Sequence, residues 1–292
     1  MGERVTRISI REQLSRGEGL PETDLKTAIA NLETSRQLYL EARLEVLRHR
    51  QGRFYGVAGF GGATLNASTP EFRKMSQVAR NIVRESEGMI DVVTGGGNGI
   101  MLAFNEGADL AREELKETGQ RPKSRNHGIG IELPWEQGLN SHINIATMHS
   151  DFTPRLQEFF DKTNATILGP GGFGSDAERA LVVQLKQVQH LERTYPIIAF
   201  SFWQPVIEEI LNKTYIERVE NGQEPLIDAE DFGLVTFSDD PDEISHLIIK
   251  DFLITKEQIW TPVQEAYRQQ KLVAKTNGHH SQDGNGLHAP NV

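Results

Sequence analysis

Short apolar runs that break into glycine recur along this chain, and each is followed by apolar residues at three- and four-residue intervals. Phe54 to Ala58, Met89 to Val93 and Thr166 to Leu168 are such runs. They open into Gly59-Phe60-Gly61-Gly62, Gly95-Gly96-Gly97-Asn98-Gly99 and Gly169-Pro170-Gly171-Gly172-Phe173-Gly174. The stretches beyond, about Pro70 to Ser86, Met101 to Leu115 and Ser175 to Leu191, carry helical periodicity. Strand, glycine turn, helix, three times in one chain, predicts an α/β fold with a parallel sheet and ligands along the carboxyl edge of its strands. Further strands are expected at Gly128 to Leu133, His142 to Met148, Ile197 to Phe202 and Leu234 to Phe237. Helices are expected from Thr153, from Pro205 to about Val219, from Asp242 to Lys250, and then to about Lys271.

Ahead of the first run, Leu25, Ile29, Leu32, Leu38, Leu40, Leu44 and Leu47 predict an amphipathic helix with an arginine-rich end. The expected organisation is an N-terminal helical extension at 1–50, an α/β domain at 51–272 and a polar, disordered tail at 273–292. His279 and His280 in that tail are read as solvated rather than as metal ligands.

The turn at 169–175 carries the most chemistry. Positions without side chains leading into a helix leave backbone N–H groups uncovered, with the positive end of the helix dipole behind them, and a phosphate is the natural guest. Ser175 is expected to cap the helix and Glu178 to sit in its first turn. On spacing alone Glu178 has two readings, a capping-box partner of Ser175 or a functional acid. Thr153-Pro154-Arg155 reads as a helix start that places Arg155 in the first turn, where a cation opposes the helix dipole. That local cost points to a job elsewhere. Trp135 and His149 lie near strand ends, where a base could stack or bond.

Composition narrows the ligand. With 31 Lys+Arg against 41 Asp+Glu, the formal charge of −10 disfavours nucleic acid and anionic membranes as partners. No cysteine is present, which excludes a disulfide framework, a thiolate metal site and a cysteine nucleophile. The polar N-terminus and the absence of any long apolar run are read as a cytoplasmic protein. NAD is disfavoured because Thr94 and Gly95 stand where a ribose-binding acid is needed. A Walker-type ATPase is disfavoured because none of the turns has the lysine.

Pro170-Gly171-Gly172-Phe173-Gly174-Ser175-Asp176-Ala177-Glu178 resembles the Pro-Gly-Gly-x-Gly-Thr-x-x-Glu signature of the Lonely Guy (LOG) phosphoribohydrolases, long labelled lysine decarboxylases. Arg155 matches the arginine that the family places at the start of the preceding helix. Arg155-Leu156-Gln157-Glu158-Phe159 and Thr94-Gly95-x-Gly97-x-Gly99-x-Met101 are most similar to the branch of bacterial nucleotide 5′-monophosphate nucleosidases. The resemblance covers roughly residues 54 to 250. It implies a Rossmann-like domain that hydrolyses the N-glycosidic bond of a nucleoside 5′-monophosphate, AMP-like or cytokinin-type, to free base and ribose 5-phosphate.

In that reading Glu178 and Arg155 are catalytic. Gly59, Gly61, Gly95, Gly97, Gly99, Met101, Pro170, Gly171, Gly172, Phe173, Gly174 and Ser175 bind substrate and its phosphate. No metal or organic cofactor is implied, and a homodimer or larger homo-oligomer is. Ser175 replaces the usual threonine, Ala177 a frequent glutamate and Asp176 an apolar residue, so a second negative charge is expected to repel the phosphate. The alternative reading is a non-catalytic nucleotide sensor with the same cradle.

Overall fold

The structure is a computed structural model describing residues 55–132, 138–257 and 265. The chain divides into two units, Arg53–Thr261 and Met1–Gly52 with Pro262–Val292, and the fold described is that of the first. The expected N-terminal helix, the tail with its histidines and the helix reaching Lys271 lie outside the described residues.

Seven parallel strands make one sheet: β1 (Gly56–Phe60), β2 (Asp91–Thr94), β3 (Asn126–Ile131), β4 (Ile145–His149), β5 (Ala165–Leu168), β6 (Ile197–Ala199) and β7 (Thr236–Phe237). Their order is β4-β3-β2-β1-β5-β6-β7. The chain starts in the middle, fills one half through β4, then crosses to β5 and fills the other. The direction of winding reverses between β1 and β5, and a crevice opens at the carboxyl ends of strands at such a reversal.

Helices flank the sheet: α1 (Pro70–Glu85), α2 (Ile100–Glu117), α3 (Phe152–Lys162), α4 (Phe173–Gln187), α5 (Gln204–Leu211), α6 (Glu217–Glu220) and α7 (Pro241–Thr255). The expected helix from Pro205 to Val219 is thus broken by a π-helical turn at Asn212–Ile216. None of the described helices is long and apolar enough to cross a membrane.

Every residue of β1, β2, β3, β5 and β6 is buried, as a parallel sheet covered on both faces requires. Alternation along β1 assigns the faces. Ala58 and Phe60 join the core beneath α3, α4 and α5, with Phe159, Phe160, Val182 and Ile207. Gly59 turns the other way, toward Phe104 of α2, where a Cβ would lie 2.4 Å from the ring.

On that second face α1 packs against α2 and α7. The α1–α2 approach depends on Gly107, since a Cβ there would lie 1.9 Å from the Ser76 carbonyl oxygen. A backbone atom cannot rotate away, so Gly107→Ala should push the helices apart and cost about 1–3 kcal/mol. Urea unfolding checks this as a lower midpoint with an unchanged slope.

Candidate active site

Three glycine turns meet at the crevice. The Gly62 N–H donates to the Pro170 carbonyl at 2.8 Å, tying the turn after β1 to the turn after β5. The Ile100 N–H, opening α2, donates to the Gly62 carbonyl at 3.0 Å and ties in the turn after β2. Gly99 makes this closure possible: its φ is +65°, and a Cβ would lie 2.1 Å from the Gly62 oxygen. Gly171 is similarly confined, since a Cβ would lie 2.3 Å from Ser175 Oγ.

Helix α4 starts earlier than the serine rule predicts. Gly172 is its N-cap, in extended backbone, and no side chain caps it. The Asp176 N–H makes an early helical bond to the Gly172 carbonyl at 2.9 Å. Ser175 is therefore not the cap but the third helical residue, buried against Gly171. A glycine turn enters helical geometry without needing a side-chain acceptor, and the amides of the first turn carry no side-chain cap. Phe173, the first helical residue, is 95% exposed at this rim, while Gly172 and Gly174 face open space.

This shift also moves Glu178. It falls in the second turn, so it has no N-cap serine to pair with, and the capping-box geometry is absent. Its carboxylate is buried and Oε1 accepts from Arg155 Nη1 at 3.2 Å. Burial pushes the Glu178 carboxyl up to about 7, against the pull of the Arg155 charge in the opposite direction. Desolvation wins over one well-placed cation.

Arg155 rises from the first turns of α3, whose N-cap is Asp151 rather than Thr153. Arg155 Nε donates to the Ile129 carbonyl of β3 at 2.9 Å, and the guanidinium lies 5.1 Å from the centroid of the Phe159 ring. Two directed bonds and a ring face fix the fork. Gly95 leaves room for it, since a Cβ there would lie 2.7 Å from Arg155 Nη2 and 2.9 Å from Met101 Sδ.

Asp176, the added negative charge of this turn, is ion-paired to its neighbour. Arg179 Nε donates to Asp176 Oδ1 at 2.7 Å, so a buried cation offsets the added charge. The Arg179 guanidinium lies 5.6 Å from the Trp203 ring centroid, and the Trp203 indole N–H donates to the Gly169 carbonyl at 2.9 Å. Together they buttress the turn after β5.

Beside Arg155 lies a cleft of about 300 Å³. Of the residues singled out from sequence, Gly95, Met101 and Arg155 line it. Ile131, Glu132, Leu139 and Met148 also line it, and sequence reasoning missed them. Asn140 was missed too: its Nδ2 donates to the carbonyls of Gly96 at 3.1 Å and Gly97 at 2.9 Å, clamping the turn after β2. Gly59 and Gly61 do not reach the cleft floor but pack against Phe104 and Ile100 of α2. His149 is committed to Glu158 of α3, and Trp135 lies outside the described residues.

Residues 109–248 match the family model described as possible lysine decarboxylase. No curated protein matches the chain in sequence. Among solved structures, the molybdenum cofactor binding protein of Rippkaea orientalis is 17% identical over 68% of this chain and 96% of its own, with a TM-score of 0.43. The molybdenum cofactor carrier protein of Chlamydomonas reinhardtii is 16% identical over 68% of this chain and 99% of its own, with a TM-score of 0.45. Arg155 and the whole signature from Pro170 to Glu178 fall inside the span matched by the family model, so it is this part of the chain that is similar to that family.

Proposed function

We propose that this protein hydrolyses the N-glycosidic bond of a nucleoside 5′-monophosphate, releasing free base and ribose 5-phosphate. One observation carries the reading: a buried carboxylate, Glu178, is held by an arginine that also lines a cleft of about 300 Å³, one turn beyond an uncapped helix N-terminus. The first-turn amides of α4 hold the 5′-phosphate, and the ribose lies over Glu178. As the bond from C1′ to the base nitrogen breaks, positive charge grows on the ribose ring, and the carboxylate stabilises it. Glu178 takes a proton from the water whose oxygen bonds to C1′, and that proton passes on to the departing base nitrogen, which returns Glu178 to its ionised form. Arg155 orients the carboxylate and contributes donors to the substrate.

A carboxyl that titrates near 7 suits a base working at neutral pH. Only its ionised form serves, so kcat/KM should fall on the acid side with a midpoint near pH 7. A limb centred near the ordinary glutamate value of 4.5 would show that the working acid is not a carboxyl raised by burial.

Incubation with a panel of nucleoside monophosphates, with free base and ribose 5-phosphate both quantified, tests the reaction. Nucleotide that binds and returns unchanged from every member of the panel would replace hydrolysis with the sensor reading.

A further inference from the structure

The cleft beside Arg155 has an apolar floor, and two of its described lining residues, Arg155 and Glu132, carry charge. This inference rests on the proposed nucleotide reading. With the phosphate at α4 and the ribose over Glu178, the base falls beyond Arg155, because that residue touches Glu178 on one side and lines the cleft on the other. Met101, Ile131, Leu139 and Met148 supply apolar surface there, and two thioethers suit an aromatic ring. Gly130 lets the floor close, since a Cβ would lie 2.4 Å from Met148 Sδ.

Among the described lining residues, Arg155 and Glu132 are the two that carry charged side chains. Arg155 has Nε on the Ile129 carbonyl and Nη1 on Glu178, and it can only donate. Glu132 is the one side chain among the described lining residues with carboxylate acceptors. It follows β3 directly, and its N–H donates to the His149 carbonyl at 2.8 Å, so its backbone is fixed to β4. Its carboxylate takes no hydrogen bond or ion pair from any described residue.

We propose that Glu132 is the specificity-determining residue of this cleft and selects a base that presents two adjacent N–H donors. A carboxylate offers two acceptor oxygens in one plane. Guanine meets them with N1–H and N2–H. Hypoxanthine offers the single N1–H. Adenine sets its N1 lone pair against the carboxylate beside its one N6–H donor. The order of preference is therefore GMP, then IMP, then AMP. Glu132 is exposed, which places GMP over AMP at the low end for a bidentate contact, about 5- to 20-fold.

The test compares GMP, IMP and AMP on the full chain and on two variants at Glu132, by kcat/KM where base is released and by Kd from calorimetry where it is not. Glu132→Ala should bring the GMP to AMP ratio near one, from about 5- to 20-fold, through loss on GMP. Glu132→Gln should turn the ratio toward AMP, because an amide sets an acceptor beside a donor and complements adenine. Binding that follows this pattern without base release overturns the hydrolase reading and upholds the role of Glu132. Base release with AMP equal to or better than GMP, a ratio unmoved by both substitutions, or no binding of any of the three overturns the role of Glu132.

Discussion

Glu178→Gln should lower the rate of base release by about two to four decades, the scale for one charged group that acts mainly in the transition state. The amide keeps the size and one acceptor for Arg155 Nη1, so nucleotide binding should survive while turnover falls. The same substitution has a second, independent signature. Burial raises the folded carboxyl from 4.5 to about 7, so between those values the folded chain holds a proton that the unfolded chain gives up. Stability from this group is complete below about pH 4.5 and is lost as pH rises through 7. Wild type should therefore lose on the order of 2 kcal/mol between pH 5 and pH 8 relative to Glu178→Gln. Urea unfolding of both proteins at the two pH values measures this. Turnover that persists in Glu178→Gln, together with equal pH dependence of stability, would remove Glu178 from the chemistry and from the buried charge at once.

The repeated strand, turn and helix pattern made the parallel sheet legible, but strand ends were displaced by several residues. Gly56 begins β1 because a Cβ there would lie 2.2 Å from the Lys162 carbonyl oxygen, and Gly128 and Gly130 occupy β3 for similar close packing. Glycine in a strand reads locally as a turn, and only the neighbour in space explains it. Arg155 stood out in the sequence because a cation early in a helix breaks a local preference, and Glu178 by its spacing from the glycine turn; the structure places the two in contact. Ser175 misled for the opposite reason, since a good capping residue stands where the glycine turn had already started the helix. The cleft residues Glu132, Leu139 and Met148 lie in three separate segments and carry no common motif. Their grouping exists only once β3 and β4 pair in register, with Ile131 opposite His149. Asn140 is the same case, because its partners Gly96 and Gly97 lie more than forty residues earlier.

Arg155→Ala should weaken nucleotide binding by about 1.5–3 kcal/mol, or roughly 10- to 150-fold, and lower turnover as well. The geometry argues for both effects, because the guanidinium touches Glu178, the proposed acid of the transition state, and lines the cleft proposed to hold the bound nucleotide. Its loss has a distinct electrical consequence. Arg155 pulls the Glu178 carboxyl down against the larger effect of burial, so removing the charge lets burial act alone and the acid limb of the residual activity should move above pH 7. Arg155→Lys separates charge from shape. An ammonium supplies the positive charge but cannot hold the Ile129 carbonyl and Glu178 at once through a rigid fork, as Nε and Nη1 do at 2.9 and 3.2 Å. The lysine variant should therefore keep an acid limb close to that of wild type while still binding nucleotide about tenfold more weakly. A pH–rate profile and a binding isotherm on each variant read the two effects separately. An acid limb that stays put in Arg155→Ala would mean that the buried carboxylate does not feel this cation, and the 3.2 Å contact would then be a contact of packing rather than of charge.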